Sequence, residues 1–148
     1  MTANVDTYVL PADSNELLSK ILPTTNPLRI TWGVLTDEEK EGYLAAALRR
    51  LENLHFVGRK VSFWQPLQFP RIAPKLPPDF DNAPLEVKKA QVLWAAEIMR
   101  QEVYVKRRNT DACLALGLIN SDIGQPENAT PNGVKELLHR WITSWRRT

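Results

Sequence analysis

The sequence predicts an all-α protein: a small helical bundle with a long central helix, an ordered loop rich in proline and aromatic residues, and a C-terminal arm that ends in an amphipathic helix. Three observations support this fold class. One segment opens with a helix-capping motif, the longest segments repeat apolar residues every three or four positions, and prolines separate these segments from one another. We therefore expect no sheet beyond a short pairing.

The first predicted helix covers residues 13–22, because capping residues precede it and Pro23 ends it. Residues 23–35 contain two prolines and are predicted to form a loop. Trp32 lies in this loop, where it is expected to act as an anchor that ties the loop to the surrounding helices.

The second helix has the clearest start in the chain. Thr36 and Glu39 have the spacing of a capping box, in which each side chain accepts a hydrogen bond from the backbone N–H of the other residue. The apolar residues that follow share one face, so the pattern predicts a helix over residues 37–54.

A proline-rich and aromatic segment follows Gly58. Residues 61–71 contain too many prolines for a central strand and too many aromatic residues for a free linker. We expect the part from Phe63 to Arg71, including Phe69 and Pro70, to pack against the main helices. Arg71 is then expected to bind carboxylates or backbone carbonyl groups through its guanidinium group.

The longest helix is predicted over residues 84–108, with a further short helical turn at residues 110–116. It has two apolar stripes, and a helix that is apolar on two sides needs two neighbours. The chain has few other predicted helices to supply both. We therefore predict that the second stripe contributes to contacts between subunits, through Val92, Met99 and Val103.

Residues 118–130 are polar and contain Gly124 and Pro126, which is typical of a linker. This predicts a division into a helical core, residues 1–117, and a linker with a docking helix, residues 118–148. The last helix starts at Pro131 or Asn132 and is strongly amphipathic.

Two interpretations remain open for the apolar face of this last helix: it packs on its own core, or it docks onto another chain. Exposed tryptophan beside arginine is the usual composition of an interface hot spot. In the docking interpretation the residues are two apolar anchors and three charged partners: Trp141, Trp145, Arg140, Arg146 and Arg147.

The sequence contains few side chains of the kinds that catalyse reactions or bind metals. His55 and His139 lie on different segments, and Cys113 has no histidine near it in sequence. No metal-ligand spacing or phosphate-binding glycine loop occurs, so we expect no enzyme activity, no metal and no cofactor. No apolar run approaches the length that crosses a bilayer, and no signal peptide is visible, so synthesis inside the cell is expected and no membrane partner is predicted. The net charge of +2 does not by itself imply nucleic-acid binding.

Five short motifs occur in a defined order between residues 32 and 99. They are Trp32-x-x-Leu-Thr36-Asp-Glu-Glu39-Lys, Leu44-x-x-Ala-x-Arg-Arg-Leu51-Glu-Asn, Phe56-x-Gly58-x-Lys60, Leu67-Gln-Phe69-Pro70-Arg71 and Pro84-x-Glu-Val-Lys-x-Ala-Gln91. In this order the chain resembles the tailed-phage head–tail connector proteins that are often labelled DnaT-like. Tyr8 and the first helix also fit, whereas Glu52 and Phe69 replace an aspartate and a tryptophan of the family pattern. Residues after about 108 match nothing in the pattern.

The resemblance implies a structural virion protein. Such an adaptor forms a ring, twelve-fold in this interpretation, beneath the portal protein at the virion neck after assembly in the host cytoplasm. It contacts neighbouring subunits, the portal, and a stopper or tail-terminator protein, while DNA passes through the channel without sequence-specific binding.

The DnaT-like label gives an alternative of another class, single-stranded DNA binding. Such binding needs aromatic side chains interleaved with basic ones along one groove. The chain offers one segment of this composition, with Phe63, Trp64 and Phe69 near Arg59, Lys60 and Arg71.

Overall fold

The computed structural model describes residues 7–72, 83–114 and 130–142, and for residues 103–114 it describes the backbone alone. Within these residues the chain folds into five helices and one two-stranded antiparallel ribbon. In chain order the elements are α1 (Pro11–Ile21), α2 (Pro27–Gly33), α3 (Asp37–Glu52), β1 (Arg59–Lys60), β2 (Arg71–Ile72), α4 (Leu85–Leu114) and α5 (Asn132–Leu138).

The protein is mostly helical, as the sequence predicts, but it is not purely all-α. Its small sheet pairs Arg59 with Ile72 and Lys60 with Arg71. An isolated antiparallel bridge between Phe56 and Ile142 lies outside this sheet. The strands are short because the segment between them is rich in proline, which cannot donate to a ladder of hydrogen bonds.

The capping box at the start of α3 is confirmed. Glu39 N–H donates to Thr36 Oγ1 at 3.3 Å, and Thr36 N–H donates to a carboxylate oxygen of Glu39 at 3.0 Å. The helix ends two residues earlier than predicted, because Asn53 N–H turns back to the carbonyl groups of Arg50 and Leu51. These hydrogen bonds fix both ends of α3.

The segment that was predicted to be a loop contains α2. The Asn26 side chain accepts a hydrogen bond from Leu28 N–H, and Pro27 suits the first helical position because its missing N–H needs no partner there. Trp32 is fully buried, and its Nε1–H donates to Ser14 Oγ of α1 at 3.1 Å. The anchoring role of Trp32 is confirmed, although a helix rather than a loop carries it.

The central helix α4 is one continuous helix of 30 residues rather than a helix and a separate turn. It packs against α1, α2, α3 and α5, so the chain itself supplies neighbours on more than one side. Val92 and Met99 are accordingly buried in the chain's own core and are not available for contacts between subunits in this structure. The predicted contact through Val103 lies outside the described side chains.

Candidate functional site

Two backbone features set the ribbon apart from the helices. Gly58 leads into it with a φ of 77°, a left-handed conformation that favours glycine because it has no side chain. We call residues 61–65 the ribbon tip and residues 67–72 the ribbon base. The peptide bond between Phe69 and Pro70, in the ribbon base, is cis.

The ribbon base is built around Phe69, which is 1% exposed. Its ring contacts three others edge to face, with centroid distances of 5.9 Å to Tyr8, 4.8 Å to Phe56 and 5.3 Å to Trp141. This geometry is favourable because the positive edge of one ring meets the negative face of another. Phe69 therefore joins the N-terminal segment, the segment that follows α3 and the C-terminal segment.

Arg71 holds the ribbon base to the segment that follows α3. Its Nε–H donates to the Val57 carbonyl at 2.9 Å, and its Nη2 donates to the carbonyls of Gly58 at 2.7 Å and Phe56 at 3.3 Å. Its Nη1 donates to Gln68 Oε1 at 2.6 Å. Burial lowers the pKa of Arg71. The predicted binding of backbone carbonyls by Arg71 is confirmed.

Glu52 gives the ribbon base a second attachment. Gln68 N–H donates to Glu52 Oε1 at 2.8 Å, and the Tyr8 hydroxyl donates to Glu52 Oε2 at 2.9 Å. Phe69 N–H in turn donates to the Tyr8 hydroxyl oxygen at 3.1 Å. Desolvation on burial raises the pKa of Glu52 above its ordinary value of 4.5 and raises that of Tyr8.

The ribbon tip differs sharply from the ribbon base. Phe63 is 87% exposed and Trp64 is 86% exposed. Their rings lie edge to face, with centroids 5.2 Å apart and planes at 87°. The expectation that the whole segment from Phe63 to Arg71 packs against the helices is therefore wrong for the ribbon tip. It presents two large aromatic side chains to solvent.

Hydrogen bonds hold the backbone of the ribbon tip in place. Gln65 Nε2 donates to the carbonyls of Leu67 and Pro70, at 2.9 Å each, and Gln65 Oε1 accepts from Ser62 N–H at 3.0 Å. Val61 N–H also donates to the Pro70 carbonyl at 3.1 Å. Because the ribbon base is anchored in the core, the ribbon tip is positioned before any ligand arrives.

Positive charge is concentrated in the part of the sequence that contains the ribbon. Residues 49–72 include five basic side chains and one acidic side chain, whereas the net charge of the whole chain is only +2. Arg59 on β1 is exposed and Lys60 is half-buried. Arg71 is already bound to carbonyl groups, so Arg59 and Lys60 are the basic residues of the ribbon that remain closest in sequence to the aromatic pair.

The C-terminal segment packs on its own core, which is one of the two interpretations the sequence left open. Trp141 is 1% exposed, and its Nε1–H donates to Glu86 Oε2 at 2.9 Å. Arg140 forms an ion pair with Glu86, and Val57 N–H donates to the Trp141 carbonyl at 2.8 Å. Trp141 is thus not available as a docking anchor in this structure. The other predicted docking residues, Trp145, Arg146 and Arg147, lie outside the described residues.

The approach of α5 to α4 is close. A Cβ atom at Gly133 would lie 2.8 Å from Leu93 Cδ2, so glycine gives the leucine side chain the room it needs. Val134 and Leu138 of α5 are buried in the same core. The proposed division between residues 1–117 and 118–148 stays a prediction.

A second exposed apolar surface lies where α2 meets α3, and sequence reasoning did not identify it. Ile30 and Val34 are exposed there, Val34 by 78%. Besides Glu39 of the capping box, three exposed carboxylates follow them at the start of α3, on Asp37, Glu38 and Glu41. We call these five residues the α2–α3 corner; it combines apolar surface with negative charge, whereas the ribbon combines apolar surface with positive charge.

The described residues contain neither a metal-binding cluster nor a helix that could cross a membrane. Among them, no group of three histidine, cysteine, aspartate or glutamate side chains is placed to hold a metal ion. None of the helices in the described ranges is both long and apolar enough to cross a membrane.

Comparison with known proteins assigns the chain to a family. No curated protein and no solved structure matched it. A family model described as "Putative DnaT-like ssDNA binding protein" matches residues 1–142, which is nearly the whole chain and includes the ribbon. The chain therefore belongs to this DnaT-like family.

Proposed function

We propose that this protein binds single-stranded nucleic acid through the ribbon tip. The observation that carries the proposal is the solvent-exposed pair of Phe63 and Trp64, which closely follow Arg59 and Lys60 in sequence. The family description, which names single-stranded DNA binding, supports the same function.

Stacking on Phe63 or Trp64 would provide the contact with the bases. Every base has an aromatic face, so stacking on a protein ring tolerates any sequence and contributes about 1–3 kcal/mol per base. Two large aromatic side chains are otherwise costly to leave in water, because burying such a side chain is worth roughly 1.5–3 kcal/mol. A nucleobase covers this surface and needs no hydrogen bond from the protein.

Arg59 and Lys60 would contact the phosphates. Basic side chains that neutralise phosphates release bound counterions, so the affinity falls as the salt concentration rises. The logarithm of the binding constant falls with the logarithm of the salt concentration, with a slope of about −0.7 per phosphate contact for a single strand. With two basic residues close to the aromatic pair, we expect a shallow salt dependence. Affinity at high salt then rests mainly on stacking.

The proposal is tested by fluorescence anisotropy with labelled oligothymidylate of about 16 nucleotides, a length that covers a typical single-strand site. The wild type is compared with the double variant Phe63→Ala/Trp64→Ala. Because both side chains are exposed, the variant is expected to fold normally and to lose at least about tenfold in affinity.

The matched control is the double variant Ile30→Ala/Val34→Ala. It removes two exposed apolar side chains from the α2–α3 corner and leaves the ribbon unchanged. It is expected to bind like the wild type. Equal affinity of the wild type and the ribbon variant would contradict the proposal.

The α2–α3 corner supports a second candidate, the head–tail adaptor that the sequence resemblance implies. Carboxylates repel the phosphate backbone of DNA, so an acidic apolar surface suits a protein partner. A closed ring needs two different, complementary surfaces on each subunit. An acidic apolar corner and a basic apolar ribbon on the same chain meet this requirement.

In this candidate the protein forms a ring, twelve-fold by the resemblance, between the portal protein and a stopper or tail-terminator protein in the virion neck. Mass measurement of the purified protein, alone and mixed with portal, tests it. A measured mass that is a multiple of 16.9 kDa would support the adaptor function if the variant Val34→Asp abolishes this assembly. A single chain in both samples would contradict it.

A further inference from the structure

In this arrangement the two rings of the ribbon tip are not parallel, so they do not both stack on two successive bases of a stacked strand. Their planes stand at 87°, with centroids 5.2 Å apart. Neighbouring bases of a stacked strand lie nearly parallel, so a base that stacks on Trp64 stands perpendicular to the ring of Phe63. The ribbon tip therefore offers one ring at a time for stacking on a base, while the other ring contacts it edge to face.

Hydrogen bonds hold the backbone that carries these two rings, which together form a wedge. Gln65 bridges the turn through three hydrogen bonds to Ser62, Leu67 and Pro70. Trp64 N–H donates to Ser62 Oγ at 3.3 Å. The ribbon base beneath it is buried around Phe69. A loop whose backbone is already ordered loses little conformational freedom on binding. The total ordering cost is smallest when the ligand is also ordered before it binds.

We infer that the ribbon tip binds preferentially where a single strand meets a duplex, by stacking Trp64 on the terminal base pair. This inference rests on the proposed function and specifies its substrate class. A terminal base pair presents one flat face on which no further base pair is stacked, and the ribbon tip offers one stacking plane to meet it. The single strand that continues from the junction then passes Arg59 and Lys60, which contact its phosphates.

The alternatives within DNA are less favourable for physical reasons. Entry of the wedge between two stacked base pairs requires them to unstack, which costs energy at every step. A continuous single strand pays no such cost, but it loses conformational freedom when one of its bases becomes stacked on Trp64. At a junction the terminal pair is exposed and ordered before the protein binds.

Fluorescence anisotropy with three labelled DNAs at one salt concentration tests the inference. The first is a single strand, the second is a dumbbell duplex closed by loops at both ends, and the third is the same duplex opened at one end to carry the single strand as a tail. We expect the tailed duplex to bind about fivefold or more tighter than the single strand, and the closed dumbbell to bind most weakly.

Two variants test whether Trp64 produces the preference for the tailed duplex over the single strand. Trp64→Ala is expected to bind the tailed duplex and the single strand equally, because the stacking surface is lost. Leu10→Ala, which removes an exposed apolar side chain that belongs to neither proposed surface, is expected to keep the wild-type preference.

The outcomes separate the inference from the proposed function. Equal affinity of the wild type for the tailed duplex and the single strand overturns the junction preference and leaves single-strand binding intact. A junction preference that persists in Trp64→Ala also overturns it. No binding to any of the three DNAs overturns both.

Discussion

The ribbon tip and the ribbon base belong to one short segment, and both are rich in aromatic residues, yet their environments are opposite. Phe69 in the ribbon base is 1% exposed, whereas Phe63 in the ribbon tip is 87% exposed. Both rings make edge-to-face contacts. The contacts of Phe69, however, come from three distant parts of the chain, whereas the contact of Phe63 with Trp64 comes from its neighbour in sequence.

This difference separates stability from function within the segment. A side chain that joins distant segments contributes to the fold, because its removal leaves a cavity among them. A large apolar side chain that the fold leaves in water contributes little to the fold, and such surface commonly marks a binding site. The ribbon base is therefore a structural element and the ribbon tip a candidate site.

The largest expected effect is that of truncating Phe69. Phe69→Ala should lower the free energy of unfolding by about 3–5 kcal/mol, because it empties the space among Tyr8, Phe56 and Trp141. Phe63→Ala is the matched control, with an expected change below about 0.5 kcal/mol. Urea denaturation followed by circular dichroism measures both. Similar values for the two variants would remove the distinction between the ribbon base and the ribbon tip.

A smaller loss is expected from Arg71→Lys, which keeps the charge but replaces the planar guanidinium group. A lysine has one nitrogen and cannot reach the carbonyls of Phe56, Val57 and Gly58 together. We expect a loss of about 2–3 kcal/mol, the scale of hydrogen bonds to a charged group. The same denaturation experiment on Arg59→Lys, at an exposed position, should show almost no change. A stability of Arg71→Lys equal to the wild type would mean that charge alone matters.

The smallest expected effect concerns pH and Glu52. Burial raises the pKa of this carboxyl group in the folded state. The Glu52 carboxyl group therefore binds a proton more tightly in the folded protein than in the unfolded chain. The stability that Glu52 contributes is then full below its ordinary pKa of 4.5 and is lost as the pH rises through the folded pKa. Glu52→Gln cannot ionise and should lack this dependence.

Urea denaturation of the wild type and Glu52→Gln over a series of pH values measures this effect. The stability of the variant relative to the wild type should increase from acid to neutral pH. The opposite slope would show that the hydrogen bonds from Gln68 and Tyr8 to the carboxylate outweigh its desolvation.

Local sequence signals predicted the helices well. Thr36 and Glu39 define the start of α3, because a capping box depends only on residues three positions apart. The same local reasoning missed α2, because Pro23 and Pro27 suggested a loop. Proline is also favoured at the first position of a helix, which is where Pro27 lies. The signal that could have identified α2 was Asn26, a capping residue directly before Pro27.

Long-range contacts explain the remaining errors. The second stripe of α4 is covered by the chain itself, because α1, α2, α3 and α5 all pack against α4, and nothing local to Val92 or Trp141 encodes this. The exposure of Phe63 and Trp64 was likewise not predictable from composition, because Phe69 has the same chemistry and the opposite environment. The hydrogen bonds of Glu52 to Gln68 and Tyr8 join residues far apart in sequence, and no pattern in the chain identifies them.

The most direct test of the central claim is ultraviolet crosslinking of oligothymidylate to the protein, followed by trypsin digestion and mass spectrometry. Cleavage after Lys60 and Arg71 releases residues 61–71 as one peptide, which contains both Phe63 and Trp64. We predict that the crosslinked nucleotide is found on this peptide and that crosslinking is lost in Phe63→Ala/Trp64→Ala. Crosslinks confined to other peptides would contradict the claim that the ribbon tip binds single-stranded nucleic acid.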